Sequence, residues 1–326
     1  MSEKEKNCSG GNETRVVCDD IEASLAHYTD ELGYAVDEVF PADSPRLVIV
    51  SKGDRRVRLV RAAATASVAP SPGSIVALAD AGTWTTGRAG MAYRDLMPDR
   101  RQGRAIASHI RIADGGPVPD YVHFHHVTFQ VIFCIRGWVR VVYEDQGPPF
   151  VMTAGDCVLQ PPRIRHRVLE CSDGLEVVEI GAPAEHRTLA DREMALPNAT
   201  IDRERRFGGQ RFVFHRARAA TWLSGPAAGW TTCDCGIREG SGGLGSVVVW
   251  RSSEPRCPLG LSAEEGLSFQ FILRGAAGLR AGAHRDWQLS STDAFVVPDG
   301  GRVEVTPAPG GVELLRVTLR ESNPDS

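Results

Sequence analysis

The sequence has no apolar run near the roughly 20 residues that cross a bilayer as a helix, so no membrane protein is expected. Residues 1–7 are charged and polar and hold no apolar signal core, so a cytoplasmic location is the expectation. Blocks of like charge are also missing. Lysine and arginine total 37 against 41 acidic residues, and a net charge of -4 gives no footprint for nucleic acid. Arg100, Arg101 and Arg104 form one small cluster, read as a solvated loop. The 8 cysteines contain no two pairs at zinc-ribbon spacing. Cys233-Asp234-Cys235 stands alone and is read as strand composition, and reduced thiols suit the cytosol.

The 326 residues suggest two or three domains, and 42% hydrophobic residues can fill their cores. Residues 1–12 read as a disordered polar tail. A short strand then leads to Asp20 as a helix cap. Ile21, Leu25, Tyr28 and Leu32 form an apolar stripe at helical spacing, closed by Gly33. Three strands follow within 34–61, which gives a βαβββ module over 13–62. Residues 63–103, with Pro70, Pro72, Gly73, Gly87 and Gly90, read as a linker.

Short strands punctuated by turns dominate from there on, as in a sandwich or barrel. They repeat. Phe133-Cys-Ile-Arg-Gly137 returns as Phe271-Ile-Leu-Arg-Gly275, and Asp156-Cys-Val-Leu-Gln-Pro161 returns as Asp293-Ala-Phe-Val-Val-Pro298. Two tandem β domains are expected, over 104–196 and 197–326.

The first copy carries His123-Phe-His125, Gln130 and His166. Two histidines one residue apart on a strand share a face. A third from a later strand completes a three-nitrogen set. With Gln130 as a weak oxygen donor, such a set holds a divalent transition metal and leaves positions open. Iron(II) suits oxygen activation, with nickel, copper, manganese and zinc as alternatives. Gln130 is neutral, so the metal keeps its full charge toward an anionic substrate. His126 falls on the opposite face. Alternation from Gln130 puts Ile132 and Cys134 on the cavity side, Cys134 as lining. His109 and Arg111 share a face, and if it is inward Arg111 could clamp a substrate carboxylate. Aligned on the repeat, the second copy has Leu261, Ala263, Ser268 and Val303 at the ligand positions, so one metal per chain is expected.

Gly116 to Gly137 around His-x-His and Gln130, and Gly155–Pro161–His166, resemble the two motifs of the cupin superfamily. Gln130 replaces the commoner Glu, the first glycine is one position early, and Arg163 replaces the usual glycine of the second motif. The resemblance implies a mainly β fold of two tandem cupin jelly-roll barrels after the βαβββ module. It also implies a non-haem Fe(II) dioxygenase taking O2 and a small metal-chelating substrate. A redox-neutral isomerase or lyase, or a small-molecule sensor, are the alternatives. Residues 13–62 resemble one module of the glyoxalase-like vicinal oxygen chelate family, without its metal ligands. Such a module needs a partner surface, either the same module of a second chain in a homodimer or the cupin body.

Overall fold

The computed structural model describes residues 13–62, 76–97, 99–263, 266–282 and 285–320. The expected polar tail and the Pro70–Gly73 stretch lie outside these residues. The chain forms two jelly-roll barrels preceded by a small βαβββ unit.

In that unit the strand Glu13–Cys18 leads to Asp20, whose carboxylate accepts from the Ala23 amide at 2.9 Å and caps the helix Ile21–Ala26. The helix continues as a wider turn over His27–Glu31. Strands Ala35–Phe40, Leu47–Lys52 and Arg55–Arg61 complete the unit, and Glu13–Cys18 lies parallel to Arg55–Arg61. Ile21 is fully buried against Val39, Val48 and Leu59. Leu32, the last residue of the expected stripe, is exposed because the widened turn carries it off the buried face.

The unit does not stand apart. Ala35–Phe40 pairs antiparallel with Thr188–Ala190, which pairs with His123–His125. One sheet therefore runs from the N-terminal unit into the barrel wall that carries the histidines. Arg187 clamps Glu38 with two hydrogen bonds of 2.6 Å across this junction. The edge of the N-terminal sheet is thus paired within the same chain rather than left open.

Residues 76–97, read as linker, hold three short strands. Trp84–Thr86 and Ala92–Asp95 extend the first barrel's second sheet, beyond Ile106–Ile112. Val76–Ala77 pairs instead with Ala294–Val296 of the second barrel. The repeat mirrors this, because Val213–His215, which precedes the second barrel, pairs with Cys157–Leu159 of the first. Each barrel lends a strand to the other. The repeated aspartates explain their own recurrence. Asp156 accepts from the amides of Thr153 and Ala217, and Asp293 from those of Ser290 and Ala79.

The barrels share an apolar core. Phe129, Val131 and Phe133 alternate outward from the strand Phe129–Arg136 and pack with Phe269, Phe271, Leu315 and Val317. The intervening residues Gln130, Ile132 and Cys134 therefore face the first barrel's interior.

Candidate metal centre

His123 and His166 are directly opposed on neighbouring antiparallel strands, and His125 follows two residues after His123 on the same face. Their ligand nitrogens all lie within 4.8 Å of one another, and all three residues are buried. His123 and His166 rings are 4.2 Å apart, and His125 is 5.2 Å from each.

The outer nitrogens set the chemistry. Nδ1 of His123 donates to the Tyr121 carbonyl at 2.8 Å, and Nδ1 of His166 donates to the Ile164 carbonyl at 3.0 Å. A carbonyl can only accept, so both rings carry their proton on Nδ1 and present a bare Nε2. The same tautomer in His125 makes Thr188 Oγ1 its acceptor at 2.9 Å. Nε2 of His123 is buried with no hydrogen-bond partner. An orphaned acceptor beside two more imidazoles fits a metal ion, since buried polar atoms are otherwise paired. Burial holds His123 and His125 well below the usual histidine range and takes His166 down to about 4, so neutral donors face the centre.

A carboxylate stands behind the triad. Asp120 Oδ1 lies 3.5 Å from His123 Nδ1, its Oδ2 accepts from the Val168 amide at 2.9 Å, and it pairs with Arg88. A carboxylate behind a ligating histidine fixes the ring and raises its basicity. Gln130 is buried beside the site. Its Oε1 accepts from Gln160 Nε2 at 3.0 Å, and that same nitrogen lies 3.5 Å from His166 Nε2. Tyr143 in turn donates to Gln160. The Gln130 amide nitrogen is buried without a partner.

The cavity over the triad measures about 80 Å³. Ile132 lines it, as alternation from Gln130 requires. Cys134 is buried deeper in the same barrel interior, and burial pushes its thiol up to about 12, which suits lining rather than attack. His126 points away, against Phe124.

His109 and Arg111 do share a face, but it is the outer one. Ile110 and Ile112 take the cavity wall, because the aliphatic pair fills the barrel interior. His109 lies between the barrels, bonded to Glu176 at 2.8 Å and Arg94 at 3.0 Å, with its ring against Trp84 and Phe271. Arg111 is exposed and stacks on Trp84 at 4.4 Å. Neither reaches the triad's cavity, so the carboxylate clamp expected of Arg111 is not there.

Two other charged groups line the cavity, Arg88 and Glu179. Glu179 stands opposite Ile132 on Leu175–Ala182, and burial raises its carboxyl to about 6. Alternation from Leu175 and Val177 would have pointed to it. Arg88 enters from a tight turn. Its amide donates to the Ala42 carbonyl at 3.2 Å, and Ala89 has φ 56°. A side chain on Gly87 would meet the Ala42 carbonyl and the Tyr93 ring, each at 2.7 Å, so only glycine lets this turn dock. A fourth histidine, His186, sits edge-on to His125 at 5.6 Å.

In the second barrel Leu261 opposes Val303 as His123 opposes His166, and both sit with Ala263 in an apolar core. Among the described residues no other histidine, cysteine or carboxylate group converges as the triad does.

Two jelly-roll barrels, the first with three converging histidines, give a cupin-type fold with a candidate metal centre. Residues 108–180 match the family model described as a cupin domain. Among solved structures, the chain is similar to oxalate decarboxylase from Bacillus subtilis at pH 4.6, with 10% identity, 78% of each chain covered and a TM-score of 0.58. It is also similar to the structure of that enzyme used in assigning the EPR parameters of its Mn(II) centres, with 11% identity, 79% of each chain covered and a TM-score of 0.57. No curated protein sequence matches the chain.

Proposed function

We propose that this protein is a metal-dependent oxidoreductase of the bicupin type, a non-haem Fe(II) dioxygenase for a small metal-chelating organic substrate. His123, His125 and His166 would hold the ion, with Gln130 as a weak fourth donor. The observation that carries the reading is the convergence of three buried imidazoles whose ligand nitrogens lie within 4.8 Å of one another, with the Nε2 of His123 left without a partner. Ferrous iron there would supply the electron transfer that couples O2 to a chelated substrate.

The chain's own residues do the rest. Asp120 and the Tyr121 carbonyl hold His123 in register. Ile110, Ile132, Val141 and Val177 line the cavity with hydrocarbon and limit water. Arg88 offers positive charge to an anionic substrate, and the Glu179 carboxyl stands where it can take or return a proton. Gln160, itself held by Tyr143, donates to the Gln130 amide oxygen, so a movement of the Gln130 amide costs that one hydrogen bond.

A second reading, a redox-neutral lyase or isomerase with manganese, is favoured by one feature, the cavity carboxyl of Glu179. Such a group serves general acid-base chemistry without oxygen. The test is metal analysis of protein purified anaerobically, then turnover of catechols, hydroxyaromatic acids and diketones in an oxygen electrode. Oxygen uptake that depends on iron and is lost in His166→Ala supports the dioxygenase. Equal turnover without oxygen, sustained by manganese, selects the lyase. Full oxygen consumption by metal-free His166→Ala protein would defeat the dioxygenase reading.

A further inference from the structure

The cavity over the triad, at about 80 Å³, is small for an organic substrate. A benzene ring occupies a cavity of roughly 150 Å³. A chelating head fits there, and a larger body needs room elsewhere. A groove of about 560 Å³ lies next to it, within the size range of small-molecule sites. The two spaces share a wall, because Arg88 lines both.

The groove runs between the N-terminal unit and the turn that carries Arg88. Ile21 and Leu25 of the helix and Val36, Val39 and Val48 of the sheet give it an apolar lining. Tyr121 also lines it; its ring lies 5.9 Å from that of His123, and its carbonyl holds the His123 Nδ1 proton. The groove therefore touches residues one step from the metal ligands.

Its charges are arranged unequally. Glu22 is paired with Arg61 at 2.7 Å, and Asp30 is exposed and accepts from Thr29 at 2.9 Å. Arg88, only 9% exposed, spends one nitrogen on Asp120, while its Nε is buried with no partner. Arg88 lines both spaces, and its guanidinium, with only one nitrogen spent on Asp120 and a donor left unpaired, has capacity for a further acceptor.

Resting on the reading of the triad as the reaction centre, we infer that the substrate is a carboxylic acid with an apolar body. The body lies in the groove of the N-terminal unit, the carboxylate is held at Arg88, and the reacting end reaches the triad. The N-terminal unit is thereby a specificity element, fused to the barrel by a continuous sheet so that helix, turn and metal ligands keep a fixed spacing.

The test is calorimetric titration of the full-length protein with acetate, butanoate, hexanoate and octanoate, and with octylammonium and octanol. Affinity for the acids is expected to rise about fourfold per methylene, the equivalent of burying one CH2 each time. Octylammonium is expected not to bind. Leu25→Glu should flatten the chain-length series while leaving acetate unchanged. Val36→Asp, on the facing strand, repeats that test if the first variant does not fold. The double variant Arg88→Met/Asp120→Asn, which leaves no unpaired charge, should bind octanoate no better than octanol. Metal-free His166→Ala protein should keep the chain-length series, so a failure of the metal reading alone would leave this result intact. Affinity that ignores chain length in the unmodified protein, or a series unchanged in Leu25→Glu and Val36→Asp, overturns the inference.

Discussion

Asp120→Asn is the sharpest probe of how the site is supported. The Asp120 side chain is fully buried and that of its partner Arg88 is 8% exposed, so neither charge is relieved by water. Asparagine keeps the shape and can still accept from the Val168 amide, which isolates the loss of charge. Removing one member of a buried ion pair leaves the other uncompensated and costs about 3 to 5 kcal/mol. Even the lower figure is about a 150-fold change in the ratio of folded to unfolded protein. At an m-value of about 3 kcal/mol/M, it moves the urea midpoint down by about 1 M. The assay is urea unfolding of metal-free protein, followed by circular dichroism. The double variant Arg88→Met/Asp120→Asn should recover most of the loss, because two neutral groups then replace the pair. A single variant within 1 kcal/mol of the unmodified protein, or a double variant less stable than the single one, would refute the reasoning.

Thr188→Val removes the acceptor that orients His125 and should weaken metal binding by about 10- to 100-fold in a chelator competition, with little change in circular dichroism. Unchanged affinity would show that Thr188 does not set the ring. His109 gives a pH signature. Burial lowers its folded pKa below 6.5, so on acidification the unfolded chain takes up a proton that the folded chain refuses. Stability contributed this way is present above about pH 6.5 and is lost as pH falls from there toward the folded value. His109→Gln should therefore lose less stability than the unmodified protein between pH 7 and pH 5, measured as urea midpoints. Parallel losses in both proteins would contradict the assignment.

The convergence of the three histidines was legible because strand geometry leaves little choice. His-x-His must share a face, and the second motif brings His166 to the neighbouring strand. The tandem barrels followed from the repeated Arg-Gly turns and the Asp…Pro runs, and the apolar residues at the second copy's ligand positions sit in a core, as their chemistry demands.

What stayed hidden has physical reasons. The strand Ile106–Ile112 is buried on both faces as far as Ile110, since one face lines a cavity and the other packs between barrels. Alternation sets Ile106, Ile110 and Ile112 against His109 and Arg111, and the aliphatic face is the inward one, so the conditional inward placement of His109 and Arg111 passed over a contrast that the strand carries. Arg88 was invisible because its place comes from contacts far along the chain, with Ala42 and Asp120, rather than from its neighbours. The lent strands Val76–Ala77 and Val213–His215 are too short to show a period at all. Glu179 is different, because alternation along Leu175–Ala182 carried its position in plain view.

The most direct measurement of the central claim is metal content by mass spectrometry after loading with ferrous, manganous or zinc salts and gel filtration without oxygen. The unmodified chain should retain one ion, His166→Ala none, and Leu261→Ala in the second barrel one. An unmodified chain that keeps no ion, or a His166→Ala chain that keeps one as tightly, would contradict it.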